Sequence, residues 1–185
     1  AYAGLAVAYC FPPLFGQMLP GEAIPRAKEM ALKAVQIDEG LPAAHAALGF
    51  FKMYYEWDWS GAQQCFERAI ELNPGFATVH RWYALHLFHR ERMEEAVAEI
   101  ERALHLDPLS VDANRQCALV YSFAGQHDRA LAAASRALEL DASAPFIHQL
   151  IGQIYGFKSM YEEALAELQK EKEISKGLYA WPEVM

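Results

Sequence analysis

Apolar positions recur along this chain at helical spacing, and short polar runs interrupt them at nearly constant intervals. Over residues 77–108, Val79, Trp82, Tyr83, Leu87 and Phe88 fit one helical stripe. The polar run His89-Arg90-Glu91-Arg92 follows, and Val97, Ile100, Ala103 and Leu104 fit a second stripe. Pro108 then stops the second helix, because its ring clashes with the preceding turn and it has no N–H to donate. The segment thus predicts two helices joined by a tight turn. Every strong periodicity in the chain is of this helical kind, which predicts an all-α fold without a sheet.

The unit repeats. Ala62, Ala96, Ala130 and Ala164 stand 34 residues apart, Ala69, Ala103 and Ala137 follow seven residues behind the first three, and Pro74 and Pro108 keep the same interval. Gly49, Ala84, Ala118 and Gly152 are spaced 35, 34 and 34, which places one inserted residue between Gly49 and Ala62. Small residues at fixed points let two helix backbones approach closely, so these columns mark helix crossings inside and between hairpins. An array of this kind spreads its apolar core continuously from one hairpin to the next.

Cys117-Ala118, Tyr121, Gly125, Ala130, Ala134 and Ala137-Leu138, with Ala142 in place of a closing proline, form a motif that resembles the tetratricopeptide repeat. That resemblance implies a right-handed superhelix, or α-solenoid, of antiparallel helix pairs in about five repeats: 1–41, 42–76, 77–110, 111–144 and 145–178, with 179–185 opening a further one. The first repeat is carried by Leu5-Ala6, Tyr9, Ala27, Ala31 and Ala34, and no domain boundary is expected within 1–185. From Leu5 to Leu48 is 43 residues, and the excess falls in the proline-broken stretch Cys10–Pro20, predicted as an elongated turn. The inserted residue of the second hairpin falls near Tyr54–Trp59, where Asp58 or Ser60 suits the N-cap of the next helix. Lys52 stands where the family prefers Tyr. The chain opens inside a repeat helix and Pro182–Met185 matches a repeat start, so the sequence predicts a piece of a longer array whose exposed repeat ends could join copies into homo-oligomers.

A net charge of −8 opposes binding to nucleic acid or to an anionic membrane, since both need a basic face. Cys10, Cys65 and Cys117 lie far apart without metal-ligand spacing, which suits reduced thiols in a cytoplasmic protein. The uncharged stretch 1–21 lacks a basic flank and is broken by Pro12-Pro13, so it reads as neither a leader nor a membrane span. His80, His86 and His89 come closest to a metal cluster, but no further ligand stands at suitable spacing, and they read as surface histidines around a turn. His45, His80 and His148 share one repeat position and read as packing residues between hairpins. Glu94-Glu95 and Glu162-Glu163 open second helices, where the positive dipole end favours them. No phosphate loop, nucleophile elbow or carboxylate pair is present, and the sequence predicts no enzyme, no cofactor and no metal.

What remains is a surface for a protein or peptide partner. In the resembled family, first helices line the concave side, which implies a groove of Phe50, Tyr54, Arg81, Trp82, Leu85, His89, Arg115, Leu119, Phe123, Gln149, Gln153 and Phe157, with Met53, Gln116 and Phe146 beside them. Arg81 and Arg115 stand one repeat apart, placed to grip a carboxylate or successive carbonyls of an extended peptide, with Trp82, Phe123 and Phe157 receiving apolar side chains. The competing reading pairs the arginines with acids such as Asp112 and makes the aromatics inter-repeat core. Ala46, Arg81, Arg115 and Gln149 do not reproduce the Lys/Asn clamp of chaperone-tail-binding co-chaperones. Two functions follow as expectations: a protein–protein interaction module, or the oligomerisation or recognition arm of a larger bacterial signalling or transcription-regulating protein. The second rests on Tyr55–Ala62, Asn73–Ala84 and Leu106–Ser110, which look like repeat regions beside bacterial winged-helix regulators, adenylate cyclases and Ser/Thr kinases. The Cys10–Pro20 loop is the next recognition candidate after the groove.

Overall fold

A computed structural model describes residue 4 and residues 20–178. The first helix of the first repeat, Cys10, most of the Cys10–Pro20 loop and the repeat start at 179–185 lie outside the described residues. Among the described residues nine α-helices follow one another with no strand: α1 (Pro20–Ile37), α2 (Pro42–Phe51), α3 (Trp59–Leu72), α4 (Ala77–His89), α5 (Met93–Leu106), α6 (Val111–Phe123), α7 (His127–Leu140), α8 (Ile147–Phe157) and α9 (Tyr161–Leu178). They fall into two compact units that divide between Leu106 and Asp107. In the first unit α2 pairs with α3 and α4 with α5, while α1 packs on α2; in the second α6 pairs with α7 and α8 with α9.

The small-residue columns sit where helices cross. Ala62, Ala96, Ala130, Ala69, Ala103, Ala137, Ala84 and Ala118 are all completely buried. A Cβ added to Gly49 would come within 2.7 Å of the Phe66 ring on α3, and one added to Gly152 would come within 3.1 Å of Leu168 on α9, so one contact recurs in both units. Second helices are amphipathic, whereas α4 is buried continuously from Val79 to Leu87 because α2, α3 and α5 all pack against it.

The residue inserted after Gly49 is absorbed in the backbone. Lys52–Glu56 forms a π-helical turn, which takes one residue more than an α-helical turn, and Trp57 then leaves the helix in the left-handed region at φ 57°. Asp58 starts α3 by accepting a hydrogen bond from Gly61 N–H at 2.9 Å, and Lys52 Nζ holds the same carboxylate at 2.6 Å. Lys52 therefore serves the cap, which explains why a lysine stands where a tyrosine was expected.

The shared His position is a latch between elements. His45 Nε2 bonds the Glu39 carbonyl at 2.9 Å and His80 Nε2 the Pro74 carbonyl at 2.9 Å, while Asn114 Nδ2 donates to the Pro108 carbonyl at 3.2 Å. Each partner carbonyl lies six residues upstream and belongs to the turn before the helix. His80 Nδ1 also reaches Glu99 on α5 and His148 Nδ1 reaches Glu167 on α9, both at 2.6 Å. These side chains thus satisfy turn carbonyls and pin a first helix to its second helix. His80 does so from a fully buried position, not from the surface.

Candidate functional site

In the first unit the expected groove residues separate by depth. Trp82 is fully buried and Arg81 and Leu85 are each only 7% exposed, so none of the three presents a working surface. The cause is the packing of α2, α3 and α5 around α4, and the Trp82 ring lies 4.9 Å from that of Phe50. Phe50 is half-buried, and only Tyr54 and His89, with ring centroids 6.0 Å apart edge to face, stay on the surface. Met53 and Gln116, expected beside the groove, are buried as well. The reading of Trp82 as a receptor for a partner's side chain is corrected: it is core.

His86 is corrected in the same way. It is 1% exposed, enclosed by Trp59, Phe66 and Tyr83, and its Nδ1 has no hydrogen-bond partner. Burial, reinforced by Arg90 and Arg92, holds its pKa down at about 4. The unfolded chain takes up this proton near pH 6.5 while the folded chain refuses it until about 4, so the stabilisation is complete above pH 6.5 and is lost as pH falls toward 4. By linkage the first unit is expected to lose about 2 kcal/mol between pH 7 and pH 5 from this group. Urea unfolding at the two pH values checks it, and His86→Leu should remove that part of the slope.

In the second unit the structure does assemble predicted residues. Arg115 and Leu119 from α6 and Gln149 and Gln153 from α8 line a pocket of about 170 Å³ together with Phe146 and Leu150. Phe123 and Phe157 are each 47% exposed and meet edge to face at 5.6 Å, and His127 stacks on Phe157 at 5.7 Å. Arg115 bonds Asp112 at 3.2 Å yet keeps a third of its side chain exposed, so it remains open to a second anionic or carbonyl group.

The rim of this pocket is held under backbone strain. Phe146 lies in the left-handed region at φ 67°, which a bulky residue rarely adopts. Glu171 of α9, itself buried, secures it by accepting from Phe146 N–H at 2.9 Å and from Gln149 N–H at 3.4 Å, and so caps a helix that has no side-chain cap of its own. Sequence reasoning missed Glu171, which falls 34 residues after Ala137 in a column otherwise reserved for Ala. It also missed Leu150, whose signal was its place one helical turn after Phe146.

Residues 54–111 match the family described as Tetratricopeptide repeat. That segment is tetratricopeptide-repeat sequence. No curated protein matches the chain in sequence. Solved structures extend the tetratricopeptide-repeat fold beyond the matched segment. MamA is 22% identical with a TM-score of 0.69, over 86% of this chain and 94% of that one. YrrB, described as a TPR protein with an unusual peptide-binding site, is 23% identical with a TM-score of 0.64, over 83% of this chain and 78% of that one. A thermophilic TPR protein of Thermus thermophilus is 21% identical with a TM-score of 0.72, over 84% of each. The fold is accordingly all-α and of the tetratricopeptide-repeat α-solenoid type. Among the described residues no helix is long and apolar enough to cross a membrane, and no group of three or more His, Cys, Asp or Glu could hold a metal ion.

Proposed function

We propose that this chain is a protein-interaction module whose second unit binds an extended peptide across α6 and α8. The observation that carries this reading is the pocket itself, in which one guanidinium and two exposed amides share the lining with apolar Leu119, Phe146 and Leu150. Exposed Phe123 and Phe157 continue the apolar surface, and such rings anchor partners at low entropic cost. The peptide-binding description of YrrB, a chain of similar fold, adds support. Arg81 has no part in this site, because it is buried in the other unit.

The test is selection of binding peptides from a displayed library of random peptides against the full chain, followed by calorimetric titration of the selected peptide. Arg115→Ala and Phe157→Ala are each expected to weaken binding by about 1–2 kcal/mol with helicity unchanged. Trp57→Ala, at an exposed site in the first unit, should leave affinity intact. Equal affinity of wild type and the Arg115→Ala and Phe157→Ala variants would move the site elsewhere.

A further inference from the structure

We propose that the pocket between α6 and α8 takes a tryptophan side chain of the bound peptide, in the place that the Trp82 indole fills in the first unit. The proposal rests on the peptide-binding reading of this pocket and names the side chain it selects. Repeat register allows a comparison residue by residue. Gly49, Ala84, Ala118 and Gly152 form one column, so Phe50 on α2 corresponds to Leu119 on α6, and Trp82 on α4 corresponds to Leu150 on α8. Helix α4 packs on α2 as α8 packs on α6. In the first unit the Phe50 and Trp82 rings meet at 4.9 Å, and Trp82 is fully buried. Arg81 and Leu85 beside it are closed off with it. In the second unit two leucines stand in place of the rings, and there they line an open pocket of about 170 Å³. Gln149 and Gln153, the counterparts of Arg81 and Leu85, line the same pocket and are exposed.

Size and chemistry agree on the occupant. A cavity of about 150 Å³ takes one benzene ring, so this pocket has room for an aromatic side chain. Leu119, Phe146 and Leu150 give such a ring apolar contact. The Arg115 guanidinium, a third exposed, offers a flat face that stacks on the ring while its edge donates to a peptide carbonyl. Its counterpart in the first unit is Ala46, so the second unit carries a ring-stacking group where it lacks the ring itself. The amide oxygens of Gln149 and Gln153 suit an indole N–H, which phenylalanine and leucine do not have. An acidic side chain is disfavoured. Asp112 already bonds Arg115 at 3.2 Å, and Glu171 accepts from the N–H groups of Phe146 and Gln149, so a third carboxylate would meet two others. A hairpin following α9 would add its first helix to α8 on the side away from α6, in the way that α8 is added to α6, and would leave this site open.

Two experiments on the full chain test it. Titration with N-acetyl-tryptophanamide, followed by NMR of the leucine methyl groups, should shift the Leu119 and Leu150 signals by ring current, and N-acetyl-leucinamide should leave them in place. The library-selected peptide should itself carry a tryptophan, and replacing that residue with leucine should weaken binding about tenfold, the scale of losing a buried anchor. Leu119→Phe combined with Leu150→Trp writes the ring pair of the first unit into the pocket and should weaken the same peptide by a similar factor, with helicity confirmed by circular dichroism. Leu119 and Leu150 signals indifferent to the tryptophan probe, or moved equally by the leucine probe, overturn the proposal. So does a peptide that depends on Arg115 and Phe157 yet loses nothing with its tryptophan or in the filled variant, an outcome that leaves the peptide-binding reading in force. Peptide affinity indifferent to Arg115→Ala and Phe157→Ala overturns that reading, and this one with it. Leu119 and Leu150 signals that move on Trp181→Ala without any probe would assign the pocket to the chain's own indole, and equally overturn the proposal.

Discussion

Trp82→Ala should destabilise the first unit by about 3–5 kcal/mol, the cost of emptying a fully buried large aromatic site. The ring sits on α4, which α2, α3 and α5 enclose, and it stacks obliquely on Phe50. No neighbour can collapse into the space without giving up its own contacts, since Val79, Ala84 and Leu87 on the same helix are already buried at helix crossings. Urea unfolding followed by circular dichroism measures the loss. Phe157→Ala provides the contrast, because that ring is nearly half exposed and its removal should cost far less. Stability unaffected by Trp82→Ala would restore that residue to a surface groove.

The same chemical change should have opposite signs at two glycines. Gly49→Ala brings a Cβ to 2.7 Å from the Phe66 ring, closer than real Cβ contacts allow, and Phe66 is itself fully buried. Either the ring leaves its rotamer or α2 moves off α3, and overpacking of this kind costs about 1–3 kcal/mol. Gly156→Ala meets nothing within 4 Å and lies inside α8, so it should gain about 0.5–1 kcal/mol from helix propensity. Thermal melts of the two variants check the pair. A neutral Gly49→Ala would mean that the small-residue column does not set the α2–α3 distance.

Arg115 and Arg81 show how far the pattern reaches toward a site. Both occupy the same repeat position, yet one keeps a third of its side chain exposed at a pocket and the other is buried. Periodicity assigns a residue to a helix face, but it cannot report how many neighbours close over that face. His86 looks like a surface residue for this reason, and Trp82 stays open between groove and core, since α4 is enclosed by three helices where an amphipathic stripe suggests two faces.

The sequence by itself determined the helical hairpins, the small-residue crossings and the place of the inserted residue, and narrowed the following cap to Asp58 or Ser60, because each depends on local backbone geometry or on an interval that repetition makes visible. Only the tertiary structure decided that the insertion becomes a π-turn with Lys52 bound to the cap, that Glu171 reaches back from α9 to hold Phe146 in a strained conformation, and that Arg115, Leu119, Gln149 and Gln153 share one pocket. Each of these joins residues from different elements, and the distance between elements is fixed by packing, which no single helix encodes.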